Sequence, residues 1–361
     1  MFLALRDLRT AKGRFALVGG VIVLVAFLSA ALSGLANGLV DDGISGLRKL
    51  PLTHLAFQPG SDANFSRSML NETNLKPWRD ALGNDASPLG VSFFNVRTDQ
   101  GKTLDVSLFG TDPQSFLAHD QRARDALAGK PGIVLSSEMA ELGIEVGDTL
   151  TVVGPDVELP VLGFTYGGTY GHADIAFTSL ETWQNLVYGP NSKGRFSAVA
   201  IRDRQNHDLD SLAKESGTQV LTKSESYIGS PGFKAETSTM SLIRGFLIVI
   251  ASLVVGAFFT VWTIQRTGQI GLLKALGATN GYVVRDALGQ LAIILVIATG
   301  IGVLLASGAG VIVSGSAPFR MTLSSVGSSA LLLIAAGMVG SLVALRRITS
   351  IPPDTALRDS V

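Results

Sequence analysis

The chain has 361 residues, 47% of them hydrophobic and only 16% charged, with a mean hydropathy of +0.37. Soluble domains carry roughly 25% charged residues, so this composition excludes a wholly soluble chain. The formal net charge is zero and no cysteine is present; no nucleic-acid partner is expected, disulfides and thiolate ligation are excluded, and any metal or haem ligand must come from His, Met, Tyr or carboxylates.

Residues 1–14, MFLALRDLRTAKGR, set Phe2, Leu5 and Leu8 on one helical face and Arg6 and Arg9 on the other, the pattern of an amphipathic helix lying on a membrane. Four uncharged runs follow, from Phe15 to Val40, Phe246 to Ile264, Ala287 to Gly315 and Met321 to Leu345. Each reaches the roughly 20 residues a helix needs to cross about 30 Å of hydrocarbon. The first is longer than a signal h-region of about 7 to 15 residues, so a retained anchor is expected. Transmembrane (TM) helices are therefore placed at 15–40, 241–264, 283–313 and 326–345. Between them lie a large segment at 41–240, a loop at 265–282 and a short loop at 314–325, with a tail at 346–361.

Orientation follows from charge. Residues 41–240 hold 17 Lys+Arg against 25 Asp+Glu, whereas the rest of the chain holds 12 against 4. Arg6, Arg9, Lys12 and Arg14 precede the first span, Arg266, Lys274 and Arg285 lie between the second and third, and Arg346, Arg347 and Arg358 follow the fourth. The positive-inside rule then puts both termini and the 265–282 loop in the cytoplasm, with 41–240 outside the plasma membrane.

Within 41–240, short β-type runs occur at 54–58, 91–96, 104–110, 133–136, 149–153, 159–166, 174–179 and 196–201. Helical stretches interleave near 75–82, 120–128, 137–142, 179–188 and 207–216. The expected fold is an integral membrane α-helical protein with four TM helices and a large extracytoplasmic mixed α/β domain between TM1 and TM2. TM1 repeats small residues at Ala26, Ala30, Gly34 and Gly38, a flat face through which it should pack closely, in a homodimer or against TM2.

No nucleotide site is legible. Gly101-Lys102-Thr103 supplies the ending of a Walker A pattern, but Val96 occupies the position of its first glycine, and the triplet reads as a hairpin turn. His119, His172 and His207 have no metal-type spacing and read as structural or surface residues. No nucleophile-elbow set appears, and intrinsic catalysis is not expected.

The most informative stretch runs from Gln265 to Asn280. Ile270, Leu273 and Leu276, or Leu272 and Ala275, form a short apolar stripe between Gly268 and Gly277, suited to docking in a groove on a cytoplasmic partner. Its residues RTGQIGLLKALGAT resemble the EIGLLRALGAS signature of the MacB/FtsX-like permeases of ABC transporters. Residues 132–152, GIVLSSEMAELGIEVGDTLTV, and the tail Ile351-Pro-Pro-Asp-Thr-Ala-Leu-Arg358 are similar to two further stretches of that family, in the same order.

The resemblance implies a permease subunit of an efflux pump, homodimeric in lipid and served by two copies of a separate cytoplasmic ATPase that binds ATP and Mg. It implies coupling through Gln269, Ile270, Leu272, Leu273, Lys274 and Leu276. The family's usual Glu is Gln269 here, which puts an ion pair with the ATPase in doubt but keeps hydrogen bonding. FtsX-like regulators of cell-wall hydrolases, and exporters of peptide antibiotics or lipoproteins, are the alternatives within the family.

Length and layout look most like the haem-exporting members from Gram-positive bacteria. A haem carrier needs an apolar slot, axial ligands and cations for the propionates. His54, Met69, Tyr227, Glu236 and Met240 are the ligand or slot candidates near the outer ends of TM1 and TM2, with Arg48, Lys49, Lys234 and Arg244 for the propionates. Met240 also reads as ordinary apolar filler, and Arg244 as a base snorkelling to the interface.

Overall fold

The computed structural model describes residues 12–118, 121–189, 194–265, 267–313 and 317–349, with side chains described for these except 12–18, 122 and 343–349. Contacts divide the chain into a helical unit, built from residues up to Leu39 and from Thr237 on, and an α/β unit, Val40–Glu236. Five helices belong wholly or mainly to the helical unit: α1 (Lys12–Lys49), α7 (Phe233–Gln265), α8 (Thr267–Ala275), α9 (Asn280–Val313) and α10 (Leu323–Thr349). All but α8 are long and apolar enough to cross a membrane.

Both helices that border the α/β unit outrun their apolar stretches. α1 continues nine residues past Val40, because Asp41–Lys49 contains no proline and places Ile44 and Leu47 on one buried face. Its end is closed by Lys223, whose Nζ donates to the carbonyls of Arg48 and Leu50 at 2.8 Å each, and Pro51 prevents continuation. α7 starts at Phe233, directly after Gly232 at φ +81°.

The α/β unit contains, in chain order, β1 (His54–Phe57), β2 (Leu70–Asn71), α2 (Glu72–Leu82), β3 (Ala86–Thr98), β4 (Thr103–Thr111), α3 (Gln121–Leu127) and β5 (Ile133–Ser136). There follow α4 (Ser137–Ala140), β6 (Thr149–Val152), β7 (Val157–Thr165), β8 (Thr169–Tyr170), β9 (Ala173–Ser179), α5 (Leu180–Tyr188), β10 (Arg195–Phe196), β11 (Ala198–Ile201), α6 (Leu209–Ser216) and β12 (Gln219–Thr222). β3 and β4 form a hairpin whose turn places Gly101 at φ +81°, so Gly101 and Lys102 belong to a hairpin turn and Thr103 opens β4.

Pairing then runs β4 to β9 in parallel, β9 to β5 antiparallel, β5 to β7 in parallel and β7 to β6 antiparallel. β6 returns to the far end of β3, with Val96 opposite Val152 and Thr98 opposite Leu150, which closes a ring of six strands. The near end of β3 pairs instead with β11, followed by β1 and β12, as an open wing. Closure leaves the ring without free edges.

Alternation along the ring strands points Val96, Val106, Leu108, Ile133, Leu135, Leu150 and Val161 into one apolar cluster. Trp183 of α5 lies against Gly90 and Gly110, where any Cβ would collide with its side chain. On the wing, Leu75 and Trp78 of α2 and Ala213 of α6 cover Ala56, Val199 and Ile201. A third cluster surrounds the α1 tail: Leu47 and Leu50 are buried with Phe57, Phe65, Leu89, Phe109, Tyr170 and Phe177. Full burial of each leucine contributes about 1.5–3 kcal/mol, so this end of α1 is part of the unit's core.

Candidate functional site

α8 is short because glycine stops it. Gly277 takes φ +95°, its N–H donates to the Lys274 carbonyl and the Ala278 N–H to the Leu273 carbonyl, both at 3.0 Å. Thr279 then starts α9, its Oγ1 accepting from the Tyr282 N–H at 3.3 Å. At about 100° per residue, Leu272, Leu276, Gln269 and Leu273 fall within roughly one quadrant, and Ile270 lies about 110° from its centre, beyond the Leu273 edge. Burial follows that wheel. Ile270 is only 7% exposed and belongs to the buried apolar cluster of the bundle, with Phe259, Trp262, Val283 and Ala287 among its members. Leu272 and Leu276 are 57% and 78% exposed, Gln269 and Leu273 are also exposed, and Lys274 is half-buried.

The expected stripe of Ile270, Leu273 and Leu276 is therefore divided. Ile270 fastens α8 to the bundle, and the open face is Gln269, Leu272, Leu273 and Leu276.

The small residues of α1 also find their partners. Ala26 and Ala30 are buried, and a Cβ on Gly302 of α9 would come within 2.6 Å of the Ala26 Cβ. A Cβ on Gly34 would strike the Phe319 ring, one on Gly38 the Pro318 carbonyl, and the Arg320 N–H donates to the Gly34 carbonyl at 3.0 Å. In this chain the ladder thus faces α9 and residues 318–320, and Ala26 also shares a small buried cluster with Ala251 of the second span and Leu333 of α10. Elsewhere the spans keep apolar faces open, Leu24 and Leu28 on α1 and Leu242, Phe246, Val249 and Leu253 on α7.

The remaining candidates are divided between the two units. In the helical unit, Arg244 Nη2 donates to the Ser33 carbonyl at 3.4 Å, and Met240 is half-buried. In the α/β unit, Arg48 pairs with Asp41, and Lys49 donates to the Gly167 carbonyl with its ammonium 5.7 Å from the Tyr166 ring centre. Tyr227 meets Phe233 edge-on at 6.3 Å; burial raises its phenol pKa, and the positive charge of Arg48 partly offsets that. His54 lies in β1 between Ile201 and Thr222, its Nδ1 2.9 Å from Thr53 Oγ1. Met69 is exposed, with its N–H bound to Gln58 Oε1.

Glu236 meets His172, which the sequence reads only as a structural or surface residue. His172, in the turn between β8 and β9, places Nδ1 2.8 Å from Asp42 Oδ2 and Nε2 3.0 Å from Glu236 Oε1. Burial pushes its pKa down, but the hydrogen bonds and charges of Asp42 and Glu236 more than offset this and leave it raised. No spacing rule could have found the trio, whose members are 130 and 64 residues apart. Close by, burial and the Glu138 carboxylate push Asp174 up to about 6. His207 bonds to Asp203 at 2.8 Å, a local turn contact, and His119 lies outside the described residues. Among the described residues, no group of three or more His, Asp or Glu could hold a metal ion.

Residues 241–353 match the family described as FtsX-like permease C-terminal. The chain carries an FtsX-like permease domain. That domain takes in α7 from its ninth residue, α8, α9 and α10, so the exposed leucine face lies inside it. Two relatives align almost end to end. The hemin transport system permease protein HrtB, so named, of Staphylococcus haemolyticus is 23% identical over 362 residues, 99% of each chain. An uncharacterized ABC transporter permease of Mycobacterium tuberculosis is 23% identical over 366 residues, again 99% of each. Among solved structures, the periplasmic region of MacB from Actinobacillus actinomycetemcomitans aligns with 52% of this chain and 94% of that one, at 14% identity and a TM-score of 0.36. The FtsX-like domain and the four helices long and apolar enough to cross a membrane agree with the permeases to which the chain is similar.

Proposed function

We propose that this FtsX-like permease is the membrane subunit of a mechanotransmission-type efflux pump that moves haem from the membrane to the outside of a Gram-positive cell. The observation that carries the coupling half is α8, a helix fastened by Ile270 with Leu272, Leu273 and Leu276 uncovered between the second and third spans. On this reading the termini and α8 are cytoplasmic, and the α/β unit is extracytoplasmic. A homodimer engages two ATPase copies, which bind ATP and Mg. Closure of the ATPases pushes on α8 and through it on α7 and α9. The exposed apolar rows of α1 and α7 meet lipid or the second copy.

The haem half is supported by the relative named for hemin transport, aligned along 99% of both chains. Haem is the cargo, and no resident cofactor is required. The test is hemin titration of the purified full chain in detergent, followed by ATPase assay with its partner. A saturable Soret shift and hemin-stimulated hydrolysis are expected. Absence of both, with the ATPase still bound, would overturn the haem assignment and favour an FtsX-like regulatory role.

A further inference from the structure

His172 holds φ +65°, a left-handed conformation that a non-glycine residue keeps only when its surroundings fix it. Its side chain is tied at both ring nitrogens, one to Asp42 in the last turns of α1 and one to Glu236 in the first turn of α7. A neutral imidazole has a single N–H and one bare lone pair, and an ionised carboxylate can only accept. With both carboxylates ionised, neutral His172 therefore bonds one of them and turns its lone pair on the other. The doubly bonded bridge needs one further proton, carried by the ring or by a carboxyl. Glu236 Oε2 is buried without a hydrogen-bond partner, an arrangement better tolerated when the bridge shares that proton.

We propose that His172, Asp42 and Glu236 form a proton-operated latch, which when closed ties the α1 tail and the first turn of α7 to the β8–β9 turn, and on losing its proton lets one of them go. The charged groups facing the ring are Asp42 from α1 and Glu236 from α7. Asp174 on β9 stands behind Asp42, and Glu138 on α4 behind Asp174, so the neighbouring field also favours keeping the proton. Which arm yields follows from what else holds each helix and from the length of each contact. The α1 tail has bonds indifferent to pH: the Gly171 N–H and the Ser230 hydroxyl both donate to the Gly43 carbonyl, at 2.9 and 2.7 Å, and the Thr169 N–H donates to Ser45 Oγ at 2.9 Å. The first turn of α7 is held besides by the Phe233 N–H on the Ser230 carbonyl and by the ring contact of Phe233 with Tyr227, and the arm that yields is Glu236 because its contact with the ring is the longer, 3.0 against 2.8 Å. Because α1 and α7 continue as the first two spans, the latch joins their roots.

This inference rests on the geometry of the α/β unit and is independent of haem and of ATPase coupling. The test is hydrogen–deuterium exchange of the full chain in detergent micelles at pH 5.5 and pH 8, corrected for intrinsic exchange rates. Losing one charge-assisted hydrogen bond should leave amides 233–240 roughly tenfold less protected at pH 8 than at pH 5.5, with amides 43–49 nearly unchanged. His172→Gln and Glu236→Gln should each remove that pH dependence, and Glu236→Gln serves if the first variant does not fold. Protection of 233–240 that is equal at the two pH values in the unmodified chain, or a pH dependence that persists in either variant, would overturn the latch.

Discussion

Replacing Leu272 and Leu276 together with Asp separates docking from folding on α8. Full burial of a leucine is worth about 1.5–3 kcal/mol, and 57% and 78% of these two side chains remain to be covered. Covering both would contribute on the order of 2–4 kcal/mol to association, roughly 30-fold to several-hundred-fold in Kd. Since neither side chain is buried in this chain, the bundle itself should lose less than about 0.5 kcal/mol. Ile270→Ala is the counterpart. It opens a cavity in the buried apolar cluster of the bundle and should cost about 2 kcal/mol or more of bundle stability. The assay is affinity of the purified permease for its ATPase by biolayer interferometry, with thermal unfolding of the same samples. A Leu272→Asp, Leu276→Asp chain that binds as tightly as the unmodified one would refute the docking face. So would a chain whose binding and melting temperature fall together, since that would mean the two leucines serve the fold.

Asp174→Asn should stabilise the α/β unit at pH 7.5 and not at pH 4. The folded pKa near 6 lies above the ordinary 3.8, so ionising Asp174 costs folding free energy; the cost is absent below about pH 4 and complete above about pH 6. Discounted for its partial exposure, the gain is about 1–2 kcal/mol, read as a melting shift present at pH 7.5 and absent at pH 4. Gly90→Val drives a side chain into Trp183 and should destabilise the ring by at least about 1–3 kcal/mol, measured by tryptophan fluorescence during denaturant unfolding.

Much of this architecture is written in local pattern. Uncharged runs give the four spans, and alternation gives the ring strands from Val91–Val96 to Ala173–Ser179, because each of these signals depends on residues a few positions apart. The two-residue β2, β8 and β10, and the polar four-residue β12, are too short to leave a period. The α1 extension escaped a reading based on hydropathy, since Asp41-Asp42 ends the apolar run while Ile44, Leu47 and the α/β core keep the helix going. For the candidate site, the α8 segment and the glycine that ends it, Gly277, were legible, whereas Gly268 lies inside the helix rather than at its edge. The inward turn of Ile270 was not, because a stripe of apolar residues does not say which edge the bundle will claim. Nor was the seat of the small-residue ladder, which depends on Pro318 and Phe319 some 280 residues later in the chain. His172 is the extreme case, a residue whose role is set wholly by two distant carboxylates.

The thirteen-residue β3 gives the α/β unit a mechanical character. It is a single uninterrupted bar, about 43 Å long at 3.3 Å per residue, clamped by the wing at one end and by the ring at the other. Leu47 and Leu50, at the foot of the first span, lie in the same cluster as Leu89 and Val91 of this bar. The core that holds the α1 tail is thus the one that lies against this bar, and the bar in turn carries the hydrogen bonds of both wing and ring. Wing and ring, joined through one continuous strand, would then move as a single stiff piece rather than stretch apart.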